Sequence, residues 1–161
     1  MTSKRHERTT ARRCAVQLLY TSELQGKTPE AVLEEGLCLV DSDPLSDYVL
    51  QLVNGVEENR VVIDEQLRAV SENWKVERMP IVDRAILRLA VYEMLHEEDV
   101  PISVTINEAV ELAKDFGGED DSPRFVNGVL GHIARRLEGG AVSTEAEAGE
   151  PEVAMSERTE A

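Results

Sequence analysis

The residues best suited to chemistry lie near the N-terminus, where cationic, amide and phenol side chains recur. They are Arg5, Arg8, Arg12, Arg13, Gln17 and Tyr20. Side chains three or four positions apart share one face of a helix, so most of this set, with either Arg12 or Arg13, lines one side of it. Guanidinium groups pair with phosphates, an amide bonds to base edges, and an aromatic ring stacks on a base. We therefore predict that this helix edge binds single-stranded RNA.

Each of two basic rows in the sequence has an interpretation that does not involve RNA. An arginine-rich N-terminus is also typical of a solvated chain end, and only the helical spacing favours RNA binding over that alternative. A second row, Arg84, Arg88 and Tyr92, recurs every four residues in a strongly apolar segment. For that row, a salt-bridged edge with Asp83 or Glu93 is the favoured interpretation.

Charge is distributed unevenly along the 161 residues, whose formal net charge is −15. Residues 1–13 carry a local charge of +4, whereas residues 139–161 carry −5. A localised cationic site on an acidic body attracts a polyanion at one place and repels it elsewhere. The sequence therefore predicts an RNA-binding protein that needs help from a partner.

No pattern of catalytic or metal-binding residues is complete in this sequence. Gly26-Lys27-Thr28 has the last letters of a phosphate-binding P-loop, but Thr21 stands where that motif needs glycine. Cys14 and Cys38 lie 24 residues apart, without the clustering of a zinc site or of a disulfide framework. We predict no enzyme activity, no cofactor and no metal site.

The sequence also predicts no membrane association. Nowhere do about 18 uncharged apolar residues run together, as a membrane-spanning helix requires. The basic start followed by residues 14–22 resembles a secretory signal, but its apolar part contains Gln17 and Tyr20 and runs into Glu23. We expect a reducing, cytoplasmic location.

The elements that must position these residues are helices. Turn and cap residues divide residues 5–138 into about seven helical segments, and strand alternation is nearly absent. The expected boundaries are starts at Thr28-Pro29, Asp43-Pro44, Pro80 and Ser122-Pro123, and ends at Gly26, Gly117 and Gly139-Gly140. We predict an all-α domain over residues 1–138 and a disordered acidic tail over residues 139–161.

Three local patterns carry more specific expectations. Thr105 and Glu108 have the spacing of a capping box, which predicts a helix start there. Gly128 and Gly131 each cost about 1 kcal/mol relative to Ala inside a helix, so a close helix crossing is expected as compensation. Apolar residues recur at helical spacing over residues 63–74 and predict a fourth helix of that extent.

Four separated segments together resemble the NusB family of bacterial antitermination factors. They are residues 11–20 (ARRCAVQLLY), 82–93 (VDRAILRLAVYE), 106–114 (INEAVELAK) and 125–130 (FVNGVL). The resemblance covers about residues 5–137 and implies a compact all-helical fold of two packed helical subdomains. It also implies a non-enzymatic protein that binds boxA-type RNA with ribosomal protein NusE in the transcription elongation complex, supporting processive transcription of ribosomal RNA operons.

The resemblance also assigns roles to individual positions. Among the N-terminal arginines, Arg8 and Arg12 match the family's RNA-contacting patch best, with Arg5 and Arg13 beside them, and Tyr20 matches a tyrosine near the RNA. The resemblance implies partner-binding roles for Asp83, Phe116, Asp120 and Phe125.

Two other functions stay open at this point. A purely protein-binding helical scaffold fits the same composition. Such a scaffold could form a homodimer that hides the arginine patch. A related helical domain also occurs at the front of some ribosomal RNA methyltransferases, where it is an accessory without catalysis of its own. The chain shows no Gly-rich strand-to-helix turn of a cofactor-binding α/β domain.

Overall fold

The computed structural model describes residues 4–36, 46–71 and 75–140, and within these ranges it contains helices and no strands. The helices are α1 (Lys4–Gln25), α2 (Pro29–Glu34), α3 (Asp47–Glu58), α4 (Arg60–Val70), a 3-10 turn (Val76–Arg78), α5 (Ile81–His96), α6 (Ile102–Phe116) and α7 (Ser122–Gly140). This confirms the predicted all-α fold with seven helices. None of the described helices is long and apolar enough to cross a membrane.

Helix α5 is the centre of the fold. It packs against α1, α3, α4, α6 and α7. Helix α1 also packs on α2 and on α3, and α7 packs on both α4 and α6. These two groups are the two packed helical subdomains that the resemblance implies. The most apolar segment of the sequence is therefore the one buried on most sides, because it packs against helices of both groups.

Several helix boundaries follow from the residues that were expected to set them. The Thr28 hydroxyl accepts a hydrogen bond from the amide of Ala31, with Pro29 at the first position of α2. Gly26, with φ of +66°, ends α1. Ser46 caps α3, and the predicted start at Asp43-Pro44 lies outside the described residues.

Two boundary predictions are wrong or untested. Helix α6 begins at Ile102 after Pro101, so Thr105 is not its cap and lies buried in the second turn. The Glu108 carboxylate instead reaches across to α1, where it accepts a hydrogen bond from Thr9. Helix α4 ends at Val70, before residues 72–74, which lie outside the described residues.

The expected close crossing at the α7 glycines is also wrong. A Cβ added at Gly128 would have no neighbour within 4 Å, and one at Gly131 would meet only the Arg135 side chain. The close approach occurs at Gly55 instead, where a Cβ would lie 2.3 Å from the ring of Tyr92. Gly55 therefore lets α3 pack closely on α5, and the α7 glycines face outward.

The arginines of the second basic row form salt bridges, as expected, but they are buried and their partners differ from the predicted ones. Arg88 donates two hydrogen bonds to Asp64 of α4, at 2.9 and 3.0 Å, and a third to Glu23 of α1. Arg84 pairs with the same Glu23 and with backbone carbonyls around Val76. These buried arginines tie α1 and α4 to α5 and are not available to a ligand.

Candidate nucleic-acid interface

Arg12 lies at the middle of the predicted RNA-binding edge, but its guanidinium points into the protein. It donates to both carboxylate oxygens of Glu93 on α5 at 2.9 to 3.1 Å, and to Glu108 on α6 at 3.2 Å. The side chains of Arg12 and Glu93 are only 4% and 2% exposed. This burial corrects the expectation that Arg12 faces solvent: its donors are used to join three helices.

Burial and ion pairing shift the pKa values of Arg12 and Glu93 in opposite directions. Burial raises the pKa of Glu93 above its ordinary value, and the neighbouring Arg12 offsets part of that rise. Burial acts to lower the pKa of Arg12, but the hydrogen bonds and charge of Glu93 raise it above the usual arginine value. Arg12 therefore stays charged and held in place.

Arg8 lies one turn before Arg12 and remains on the surface. Its guanidinium carbon lies 5.1 Å from the centroid of the Tyr48 ring on α3, and one amino group donates to Asp99 at 3.1 Å. The hydrogen bond from Arg8 lowers the pKa of Asp99. The Arg8 side chain is 22% exposed, so part of it stays accessible to solvent.

Arg13 joins the predicted RNA-binding set to the predicted partner-binding set. Its guanidinium carbon lies 4.7 Å from the centroid of the Phe116 ring at the end of α6, and it donates to Asp115 at 2.6 Å. The Arg13 side chain is 33% exposed and Asp115 is 54% exposed. A guanidinium stacked on an aromatic ring, with a solvated carboxylate as its counterion, can exchange that counterion for a phosphate.

The rest of the predicted RNA-binding set flanks these arginines. Arg5 is exposed in the first turns of α1, while Gln17 and Tyr20 are half-buried further along. The Gln17 side-chain oxygen accepts no hydrogen bond from the described residues. The six predicted positions thus divide into an open N-terminal part, a buried Arg12, and a half-buried amide and phenol.

The resemblance implies that Asp83 binds a partner, but the structure buries this residue. Its carboxylate is 2% exposed and accepts hydrogen bonds from the Ser122 hydroxyl at 2.9 and 3.1 Å and from the amide of Gly118 at 3.2 Å. These bonds fix both ends of the loop between α6 and α7. Asp120 lies exposed on that loop, and Asp83 therefore positions it from below.

Phe116 and Phe125 border the same loop. Both are half-buried and pack against the hydrophobic core, so each exposes part of its ring. The loop and its surroundings form a polar hollow of about 640 Å³ that Lys114, Asp120 and Pro123 help to line. Gly117, which also lines this hollow, directly follows Phe116 in the chain.

The sequence did not predict which side chains would pair with or lie against Arg8 and Arg13. Asp99 lies in the turn before α6, Asp115 lies in α6, and Tyr48 lies in α3. All three are far from the arginines in sequence. Tyr48 follows an apolar helical pattern, and the sequence offered no signal that its ring would lie under Arg8. It also lines a groove of about 590 Å³ beside the N-terminal turns of α1, together with Lys4, His6 and Ser46.

The helical architecture and the basic edge of α1 define a compact all-helical protein whose partly exposed, ion-paired arginines lie beside the end of α6. The model of the NusB family matches residues 9–135, and this chain belongs to that family. Membership makes it a non-catalytic factor rather than an enzyme, as predicted from the missing catalytic motifs.

Curated relatives and solved structures agree with this assignment. The transcription antitermination protein NusB of Saccharopolyspora erythraea is 49% identical over 128 residues, which cover 79% of this chain and 86% of the relative. That of Bacillus thuringiensis is 47% identical over 131 residues, covering 81% of this chain and 99% of the relative. T. maritima NusB superposes with a TM-score of 0.70 at 36% identity, covering 84% of this chain and 93% of that one.

One solved neighbour includes ligands. A structure of antitermination factors NusB and NusE in complex with double-stranded RNA matches with a TM-score of 0.66 and 27% identity. The match covers 83% of this chain and 98% of that chain. The fold described above is therefore shared, over 83% of this chain, with a protein whose structure was solved in complex with NusE and RNA.

Proposed function

We propose that this chain is a transcription antitermination factor that binds boxA-type RNA together with ribosomal protein NusE. It joins the transcription elongation complex in the cytoplasm and supports processive transcription of ribosomal RNA operons. The observation that carries the proposal is the shared fold with the NusB that was solved together with NusE and RNA. The names of the two curated relatives support the antitermination role.

The RNA-binding residues are assigned by what the fold leaves accessible. Arg5, Arg8 and Arg13 bind phosphates, because each keeps part of its side chain in solvent. Gln17 and Tyr20 continue the same helix and contact bases where the strand follows α1. Arg12 supports this edge from inside, since its donors are already occupied by Glu93 and Glu108.

Low RNA affinity without a partner follows from the charges around this edge. Asp99 and Asp115 each neutralise one of its arginines, and RNA must displace them. Exposed ion pairs of this kind are worth about 0 to 1 kcal/mol, so displacement is feasible but reduces the gain from each phosphate contact. NusE then adds contacts that a weak site lacks.

The NusE-binding surface is proposed at the α6–α7 loop. Phe116, Asp120 and Phe125 offer two partly exposed rings and a carboxylate, and Asp83 holds the loop that carries them. Phe116 also lies under Arg13, so a partner bound there touches the RNA-binding edge. Such adjacency couples the two ligands, and linkage requires each to strengthen the other equally.

A titration of labelled boxA-type RNA tests the proposal. The RNA is added to this protein with and without NusE, at two salt concentrations, with a scrambled RNA of the same length as the control. We expect NusE to tighten boxA binding and RNA to tighten NusE binding by the same factor. Equal affinity for both RNAs, unaffected by NusE, would falsify the function.

Two arginine variants locate the site within that titration. Arg13→Gln should weaken binding and lower the slope of log affinity against log salt by up to about 0.7, the value for one single-strand phosphate contact. Arg78→Gln is the matched control, because Arg78 is equally a surface arginine but lies on the 3-10 turn before α5. The edge assignment fails if the two variants behave alike.

A further inference from the structure

Most arginines in the described part of the chain are neutralised by nearby carboxylates. Seven of them form ion pairs, namely Arg8, Arg12, Arg13, Arg60, Arg68, Arg84 and Arg88. The other five, Arg5, Arg78, Arg124, Arg135 and Arg136, pair with no carboxylate of residues 4–36, 46–71 or 75–140. All five are exposed, and three of them, Arg124, Arg135 and Arg136, belong to α7.

These three arginines form a stripe along the outer face of α7. At 3.6 residues per turn they fall within an arc of about 120°, and His132 lies inside the same arc. His132 and Gly128 are exposed as well, and no side chain covers Gly128. We call Arg124, His132, Arg135 and Arg136 the α7 stripe. It is a solvent-facing concentration of positive charge on a chain whose net charge is −15.

An acidic segment long enough to reach the whole α7 stripe follows the end of the same helix. Helix α7 ends at Gly140, and the sequence continues through residues 141–161 with six glutamates against one arginine. The stripe extends back from Gly140 by about 24 Å at 1.5 Å per helical residue. An extended segment of this length spans up to about 70 Å, so its glutamates reach every cation of the stripe.

We propose that residues 141–161 fold back along α7 and occupy the α7 stripe, so that this acidic segment competes there with RNA phosphates. Tethering gives the segment a high effective concentration at the stripe, which compensates for the weakness of single exposed ion pairs. The same −5 segment repels RNA from this face, which favours the segment over RNA as the occupant. Non-specific RNA binding is thereby restricted to the α1 edge.

The acidic segment is an addition to the common family core. The family model ends at residue 135, and the match that spans 99% of the Bacillus thuringiensis relative covers only 81% of this chain. Its charge is therefore a property of this chain that the shared fold does not require.

Limited proteolysis of the full chain with a Glu-specific protease tests the docking without RNA. The comparison is between the parent protein and R124Q/R135Q/R136Q, with Arg78→Gln as the control for loss of an exposed arginine. Near 0.01 M salt, where the Debye length is about 30 Å, we expect cleavage after Glu145, Glu147 and Glu150 to be about threefold faster in the triple variant only. Near 1 M salt, where screening acts within about 3 Å, the rates should converge. Equal rates at low salt overturn the proposal.

A second measurement separates docking from simple repulsion. The six glutamates of residues 141–161 are replaced by Gln in the full chain, with and without the three Arg→Gln substitutions, and binding of an adenine homopolymer RNA is measured. Docking predicts that glutamate removal tightens RNA binding in the parent background and has little effect when the stripe is absent. The same gain in both backgrounds shows long-range repulsion and overturns the proposal. A stripe that binds RNA while proteolysis is unchanged also overturns it, because RNA is then the occupant.

Discussion

Arg12 and Glu93 form a buried ion pair that joins α1 to α5, with three donor–acceptor distances of 2.9 to 3.1 Å. The pair lies directly under the edge proposed to bind RNA, where Arg8 and Arg13 flank Arg12 in sequence. An arginine that the sequence places among RNA ligands is therefore part of the internal structure. Its neighbours keep their orientation because it is fixed.

Arg12→Met should reduce the free energy of unfolding by about 3 to 5 kcal/mol, because it leaves the Glu93 carboxylate buried without its counterion. Replacing both residues, Arg12→Met with Glu93→Leu, should cost much less than the two single changes added together. Chemical denaturation of the four proteins measures this coupling. Additive costs would show that the two side chains act independently.

The fold was predictable from sequence because caps and periodicity are local signals. Thr28-Pro29, Gly26 and the apolar run from Pro80 each determine structure through their immediate neighbours. The wrong predictions are those in which a distant residue competes for the side chain. Glu108 has capping-box spacing but bonds to Thr9 and Arg12, which lie almost a hundred positions earlier.

The candidate site was predictable only in part for the same reason. Helical spacing placed Arg8, Arg12 and Arg13 on one helix, and it could not decide which of them faces the core. That choice depends on Glu93 and Glu108, which tertiary packing brings beneath Arg12 alone. Asp83 likewise has the charge of a binding residue, and only the buried position of Ser122 shows its positioning role.

Asp115→Asn should increase RNA affinity, because it removes one carboxylate partner of Arg13. The gain should be at most about fivefold, since exposed ion pairs are worth about 0 to 1 kcal/mol. Glu111→Gln is the matched control: it removes one charge from the same helix, where Glu111 pairs with Lys114 instead. Fluorescence anisotropy with boxA-type RNA compares the two variants. A similar gain in both would assign the effect to net charge and not to Arg13.

Asp83→Ala should release the loop between α6 and α7. Loss of a buried acceptor leaves the Ser122 hydroxyl proton and the Gly118 amide without their acceptor, at a cost of about 1 to 3 kcal/mol in unfolding free energy. Exchange of the Gly118 amide hydrogen should accelerate, and NusE binding should weaken with it. Asp120→Ala, on the exposed side of the loop, should change stability by no more than about 0.5 kcal/mol. Unchanged exchange at Gly118 in Asp83→Ala would contradict the positioning role.

Two helical glycines should respond in opposite directions to the same substitution. Gly55→Ala should destabilise the fold by about 1 to 3 kcal/mol, because its Cβ would overlap the Tyr92 ring. Gly128→Ala should stabilise it by about 0.5 to 1 kcal/mol, since the site is open and alanine favours helix. Thermal unfolding of both variants measures the difference. Gly55→Ala should also cost less in a Tyr92→Leu background, and an equal cost there would rule out the ring as the cause.

Ionisation of Tyr48 should lower the free energy of unfolding at alkaline pH. Burial, followed by the charge of Glu93, raises the pKa of its phenol from 10.0 to about 12. Between these values the folded protein binds more protons than the unfolded chain, so the contribution of Tyr48 is complete below pH 10 and is lost as the pH rises towards 12. Denaturation midpoints measured across this window should fall more steeply in the parent protein than in Tyr48→Phe. Because lysine titration is common to both proteins, the difference between their slopes isolates the phenol, and parallel curves would mean that Tyr48 ionises equally easily in both states.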